Sequence, residues 1–273
     1  ILSFYMAERT RRARVAMETE AYFPEIFSIH GDRLTSAIKR TVFYSSTQPL
    51  PKANALFETS YRVFNGDTLD VARKLIDEGK KPCVLNLASE LNPGGGWKNG
   101  SLAQEEELFR RSTYALSLDD PGKIDRGRTW RYPIPLTGGI YSPDVFVFRD
   151  SNKEGYTVLK YKDCFFLDFV AVPALRHPRL VKGRLDERAR EVTKEKMRTI
   201  LRIAFVNGHI SLLLGAMGCG AFGNSPDDIS SLFAEVFGEP EFFGRFASID
   251  FAILDDSRSD NLPAFRRKFG QKG

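Results

Sequence analysis

The feature of this 273-residue chain that most restricts its fold is a pattern that occurs twice: an apolar run, a glycine-rich turn, then a helix-forming segment. Residues 82–89, PCVLNLAS, lead into Pro93, Gly94, Gly95 and Gly96 and then into SLAQEEELFRRSTYAL at 101–116. Residues 210–216, ISLLLGA, lead into Gly218, Gly220 and Gly223 and then into DDISSLFAEVF at 227–237. Strands this apolar on both faces belong inside a sheet covered by helices, and serial strand–turn–helix units build a parallel or mixed α/β sheet. In such a sheet, ligands sit at the loops beyond the carboxyl ends of the strands.

The rest of the chain agrees with that architecture. The run YMAERTRRARVAMETEAYF, with charges at three- and four-residue spacing, predicts a helix over 5–25, and SSTQPLPKAN at 45–54 has loop composition. A strand is expected at 61–65, a helix at 68–79 and, after a Pro/Gly-containing insertion at 119–143, apolar strands at 145–149 and 164–173, the second central. Residues 185–208 predict a long amphipathic helix closed by Gly208, and 248–254 a last strand. The expected organisation is an N-terminal helical extension over 1–55 packed on a single core over 56–273, a length one core can fill.

Composition narrows the function classes. With 42% hydrophobic residues and no apolar run of roughly 18, no membrane-spanning helix is expected. The net charge of +5 is dispersed among acids and favours anionic ligands only weakly. Cys83, Cys164 and Cys219 are odd in number and widely spaced, and His30, His177 and His209 stand in no ligand spacing, so no disulfide framework, metal or cofactor is expected. The sequence has no charged segment running into an apolar stretch and a small-residue cleavage site, and the expected location is intracellular, cytoplasmic or nuclear.

Three consecutive glycines ahead of a helix let a phosphate approach backbone N–H groups at a favourable dipole end. Glycine turns are also plain connectors, Ser101 with Gln104 reads as a capping box, and Glu105 and Glu106 complement the helix dipole. The second glycine loop tips the balance: two such loops after two buried strands are expected to face each other across one diphosphate.

The spacing GGG, seven residues (WKNGSLA), then QEE resembles the signature of microbial-type poly(ADP-ribose) glycohydrolases. NPGGG, GAMGCGAFGN at 215–224 and NGDT at 65–68 are similar to elements of the same family, the last to the opening element of macrodomains. The resemblance spans roughly residues 10–255 by order and character. It implies a macrodomain-like mixed β-sheet sandwiched between helices, with an N-terminal helical extension, and an enzyme that hydrolyses the ribose–ribose O-glycosidic bond. The substrate would be poly(ADP-ribose) or an ADP-ribosylated protein and the product ADP-ribose, with no cofactor, membrane or nucleic-acid partner.

Residue by residue, the resemblance implies that Glu106 is the catalytic acid, Glu105 holds ribose hydroxyls and Gln104 orients them. Gly94, Gly95 and Gly96 would line the diphosphate and the ribose to be cut, with Asn92 shaping their loop. Gly218, Cys219, Gly220, Ala221, Phe222 and Gly223 would form the second phosphate loop, with the Phe222 ring near the scissile ribose, and Asp67 would accept from the adenine amino group. Two departures bear on the linkage accepted: Ser89 stands where many macrodomains carry a ribose-binding asparagine, and bulky Trp97 follows the triplet. The alternatives are a non-catalytic macrodomain-type reader of ADP-ribose and a hydrolase of a different ADP-ribosyl linkage. A Cys219 nucleophile has no neighbouring histidine in sequence, and the phenylalanine pairs at 165–166 and 242–243 are expected to be core or packing residues and not base-stacking platforms.

Overall fold

Buried strands joined by glycine turns and amphipathic helices give a mixed α/β chain. The computed structural model describes residues 2–54, 57–254 and 259–270. In order, the elements are α1 (Leu2–Lys39), β1 (Val42–Tyr44), β2 (Ser60–Asn65), α2 (Thr68–Asp77), β3 (Pro82–Leu87), α3 (Gln104–Arg111), α4 (Tyr114–Leu118), β4 (Gly139–Val147) and β5 (Phe165–Val172). Then come β6 (Leu180–Val181), β7 (Arg184–Leu185), α5 (Glu187–Val206), β8 (Ser211–Leu214), α6 (Pro226–Phe237), β9 (Ser248–Ile253) and α7 (Asn261–Phe269). By proximity the chain forms two compact units: Ile1–Phe43, Ala88–Ile134 and Ile140–Phe169 in the first, Tyr44–Leu87, Pro135–Gly139 and Val170–Gly273 in the second. The boundary expected between residues 55 and 56 lies outside the described residues.

Strand order is β1-β4-β5 among the strands of the first unit and β5-β3-β8-β9-β2 among those of the second, with β5 contributing residues to both. In the second unit β3, β8, β9 and β2 run parallel. Every residue of β8 and β9 is buried, as parallel strands covered on both faces require. Asp250 in β9 is enclosed and is neutralised by Arg62 Nε at 2.7 Å and Lys80 Nζ at 3.0 Å, the pairing a buried carboxylate needs. Phe233, Phe237, Phe251, Phe265 and Phe269 interlock α6, β9 and α7. Helix α7 was not expected from its short, proline-containing sequence; the aromatic packing supplies what local propensity lacks.

In the first unit α1 runs past the expected end at 25, through Pro24 to Lys39, with a break at His30 (φ −121°, ψ 18°). Proline in a helix interior removes one backbone hydrogen bond, but Val15, Ala16, Phe23, Ile26, Leu34 and Ile38 continue one buried side across it. The helix expected over 101–116 is two helices. Ser112 is extended and pairs with Val147, and Thr113 N–H donates to the Phe146 carbonyl at 2.9 Å, so strand pairing overrides helix propensity there. The Ser101–Gln104 capping box does not form, because α3 starts at Gln104 behind Ala103, which has no capping side chain. Of the phenylalanines expected in the core, Phe242 is buried but Phe243 is 63% exposed. Among the described residues no helix is long and apolar enough to cross a membrane. No group of three or more His, Cys, Asp or Glu side chains among them is placed to hold a metal ion.

Candidate active site

In the first unit, the chain leaving β3 turns through Gly94 (φ 74°) and Gly95 (φ 53°), left-handed conformations that glycine adopts without strain. A Cβ on Gly94 would stand 2.5 Å from the Phe109 ring, so the loop lies directly against α3. Trp97, only 3% exposed, packs on Phe109 with ring centroids 5.5 Å apart. Its bulk therefore packs the loop against α3.

This close approach aims backbone N–H groups at the acids of the first turn of α3. Glu105 Oε2 accepts from Ser89 N–H at 2.7 Å and Oε1 from Gly94 N–H at 3.2 Å, with the side chain 3% exposed. Glu106 Oε1 accepts from Gly96 N–H at 3.1 Å. Glu106 Oε2 accepts no hydrogen bond among the described residues. Gly95 N–H donates to the Asn92 carbonyl at 3.3 Å, so all three glycine N–H groups have acceptors inside the protein. The loop's positive potential is thus directed at the two carboxylates, and it fixes their orientation. Ser89 also braces the turn, its Oγ accepting from Leu91 N–H at 3.3 Å and Asn92 N–H at 3.4 Å.

The far end of the loop is held by three arginines that the sequence reading did not single out. Arg110 is fully buried and donates to the Trp97 carbonyl at 3.0 Å, the Ser101 carbonyl at 2.7 Å and Glu107 Oε1 at 2.9 Å. Its Nε donates to the Tyr156 hydroxyl at 3.2 Å, and that hydroxyl in turn donates to Glu107 Oε1. From α1, Arg12 Nε donates to the Gly100 carbonyl at 2.8 Å and Arg9 Nε to the Asn99 carbonyl at 2.9 Å. The Glu107–Arg110 spacing was readable as a helical ion pair, whereas Arg9 and Arg12 meet partners 90 and 88 residues away and leave no local signal.

Of the other residues singled out, Gln104 opens α3 half-buried and Asn92 is exposed in the same loop. The remainder lie in the second unit. Asp67 caps α2, its Oδ1 accepting from Leu69 N–H at 2.9 Å and Asp70 N–H at 3.2 Å. The second glycine loop is closed on itself by Asn224, whose Nδ2 donates to the Leu175 carbonyl at 2.7 Å and the Gly218 carbonyl at 3.1 Å. Gly218 is left-handed at φ 72°, and a Cβ there would meet Asn224 Nδ2 at 2.4 Å. Gly220, Ala221 and Gly223 are exposed; Phe222 is half-buried, with the Arg176 guanidinium 5.0 Å from its ring centre. Burial pushes the Cys219 thiol above its ordinary range, which leaves it protonated and poorly suited to nucleophilic attack.

The family described as microbial-type PARG, catalytic domain, matches residues 15–150. Among solved structures the chain is similar to the poly(ADP-ribose) glycohydrolase of Thermomonospora curvata, 31% identical, covering 94% of this chain and 99% of that one with a TM-score of 0.76. The same enzyme bound to the inhibitor ADP-HPD gives 31% identity, the same coverage and a TM-score of 0.74. The poly(ADP-ribose) glycohydrolase of Deinococcus radiodurans in complex with ADP-ribose is 29% identical, covering 88% of this chain and 90% of that one with a TM-score of 0.64. No curated protein sequence matches.

Proposed function

The chain belongs to the microbial-type poly(ADP-ribose) glycohydrolase family and is an enzyme of that type, and from this premise we propose that it hydrolyses the ribose–ribose O-glycosidic bond of poly(ADP-ribose), with Glu106 moving the proton. The observation that carries the assignment is the unequal anchoring of the two acids. Both oxygens of Glu105 are tied to backbone N–H groups, whereas Glu106 is held at Oε1 and has Oε2 unengaged among the described residues. A general acid needs one fixed atom for aim and one atom open to the substrate.

In this reading Glu106 Oε2 gives its proton to the leaving ribose oxygen as the glycosidic C–O bond breaks and the ring gains oxocarbenium character. It then takes a proton from the water that attacks the anomeric carbon. The family resemblance gives Glu105, immobilised through both oxygens, the role of holding ribose hydroxyls. Gly95 leaves room for the sugar, since a Cβ there would stand 2.8 Å from Glu106 Oε1. Gly94, Gly96, Asn92 and Gln104 shape this pocket wall. For the second unit, the family resemblance implies that the loop Gly218–Gly223, including Cys219, Gly220 and Ala221, contacts a diphosphate, that Phe222 packs near a ribose and that Asp67 accepts from an adenine amino group. The ligand class is supported by the ADP-ribose and ADP-HPD complexes of the Deinococcus and Thermomonospora enzymes.

The test is release of ADP-ribose from poly(ADP-ribose) by the purified chain, beside calorimetric binding of ADP-ribose. Glu106→Ala is expected to lower turnover by about two to four powers of ten while leaving affinity near wild type. A wild-type chain that binds ADP-ribose but releases none from the polymer is a reader, and a variant that loses binding in proportion to turnover removes Glu106 from the chemistry.

A further inference from the structure

A basic hairpin in the second unit has no role in the site as described. Between Asp168 and Asp186 the chain holds no acidic residue but carries Arg176, Arg179, Lys182 and Arg184. Strand β6 pairs antiparallel with β7, and the intervening Lys182 (φ 52°) and Gly183 (φ 78°) are both left-handed, as a tight two-residue turn requires. A two-stranded ribbon is marginally stable by itself, and apolar burial does not account for this one, since Leu180 and Val181 are 42% and 49% exposed.

Polar anchors hold the ribbon instead. On the return strand, Leu185 N–H and Arg184 Nε donate at 2.7 and 2.6 Å to the buried Asp228 carboxylate in the first turn of α6. On the approach, His177 N–H donates to the Phe222 carbonyl at 2.9 Å, and the Arg176 guanidinium lies against the Phe222 ring. The Leu175 carbonyl accepts from Asn224 Nδ2, so residues 175–177 are fastened along the second glycine loop. That loop, GAMGCGAFGN, has no charged side chain, and the cations fastened to it are those of the hairpin. Asp228 neutralises Arg184, whereas Arg176, Arg179 and Lys182 are exposed and have no acidic partner among the described residues. From 176 to 182 the chain can span up to about 20 Å at an extended rise per residue, more than one diphosphate covers. Fixed, unpaired cations spread in this way suit a polyanion with repeated phosphates.

We propose that Arg176, Arg179 and Lys182 bind the diphosphate of the adjoining ADP-ribose unit when the glycine loop holds one unit of the polymer, which makes the hairpin a determinant of preference for chains over single units. This inference rests on the ADP-ribose reading above. The experiment compares wild type with the triple variant Arg176→Gln, Arg179→Gln, Lys182→Gln in steady-state release from long poly(ADP-ribose) and in calorimetric binding of ADP-ribose. The KM for polymer is expected to rise roughly 5- to 50-fold, the range of three exposed ion pairs, with ADP-ribose affinity within about twofold of wild type. The difference between the two proteins should narrow at high salt. A control that neutralises exposed Lys52, Arg266 and Lys268 with glutamine removes the same charge from the same unit and is expected to leave KM unchanged. An unchanged KM in the hairpin variant, an equal rise in the control, or an equal loss of ADP-ribose affinity overturns the proposal. So does an oligoadenylate that inhibits wild type more strongly than the polymer binds, at equal phosphate, and loses that strength in the variant, since the hairpin would then serve nucleic acid. If the triple variant melts well below wild type, Arg179→Gln alone carries the test, with a KM rise of about 2- to 5-fold expected and none overturning. If wild type itself fails to bind ADP-ribose, the underlying reading fails first and this one with it.

Discussion

Converting Glu105 and Glu106 to glutamine one at a time separates holding from proton transfer. In Glu105→Gln one oxygen becomes an NH2 group, which must face either the Ser89 N–H at 2.7 Å or the Gly94 N–H at 3.2 Å. Two donors then oppose each other at a side chain only 3% exposed, where water cannot intervene. The expected loss is about 1–3 kcal/mol, the penalty of a buried donor without an acceptor. For chains near this size that lowers the melting temperature by roughly 2–10 °C. In Glu106→Gln the amide oxygen can keep the Gly96 N–H bond at 3.1 Å and the NH2 takes the place of Oε2, where no protein group opposes it. The melting temperature should stay within about 2 °C, while turnover falls by about 10²–10⁴, because an amide cannot relay the proton. Thermal melts and single-turnover release of ADP-ribose read the two effects. A Glu106→Gln enzyme that keeps more than a tenth of wild-type turnover, or a Glu105→Gln protein that melts like wild type, refutes the division of roles.

Two further substitutions probe the loop. Gly95→Ala places a methyl group 2.8 Å from Glu106 Oε1 at φ 53°. It should cost about 1–2 kcal/mol in backbone strain. Displacement of the carboxylate should also cut turnover at least about tenfold, and steady-state kinetics with normal kcat would show that the acid does not depend on this approach. Arg110→Met leaves the Trp97 and Ser101 carbonyls and the Glu107 carboxylate without their fully buried donor. A loss of about 3–5 kcal/mol in denaturant unfolding is expected, and a loss below about 1 kcal/mol would show that the guanidinium is replaceable there.

The parts of the fold that could be read from sequence are those set by local pattern. Apolar runs such as CVLNL and SLLL announced β3 and β8, and the amphipathic run 185–208 with its closing Gly208 announced α5. The misplacements arise where distant contacts outweigh local preference. Ser112 leaves the helix to pair with Val147, and α1 tolerates Pro24 because one apolar side stays buried to Lys39. At the site the carboxylate pair and glycine triplet were legible through their spacing. Which way the glycine N–H groups point was not, because it depends on the Gly94 turn pressing onto Phe109. Arg9 and Arg12 left no trace in sequence, since an arginine on an exposed-looking helix has many ordinary uses.

The two hydrogen bonds from α1 to the Asn99 and Gly100 carbonyls bear on how a minimal catalytic fragment should be cut. The family match starts at residue 15, three positions beyond Arg12, so a fragment trimmed to that homology boundary would discard both side chains that fasten the outer end of the glycine loop. Gly100 itself, where any Cβ would lie 2.0 Å from the Arg9 carbonyl, marks how tightly the helix and loop are nested. Expression boundaries and affinity tags for this enzyme are therefore better chosen from the contacts of its first helical turns than from the edge of detectable sequence similarity.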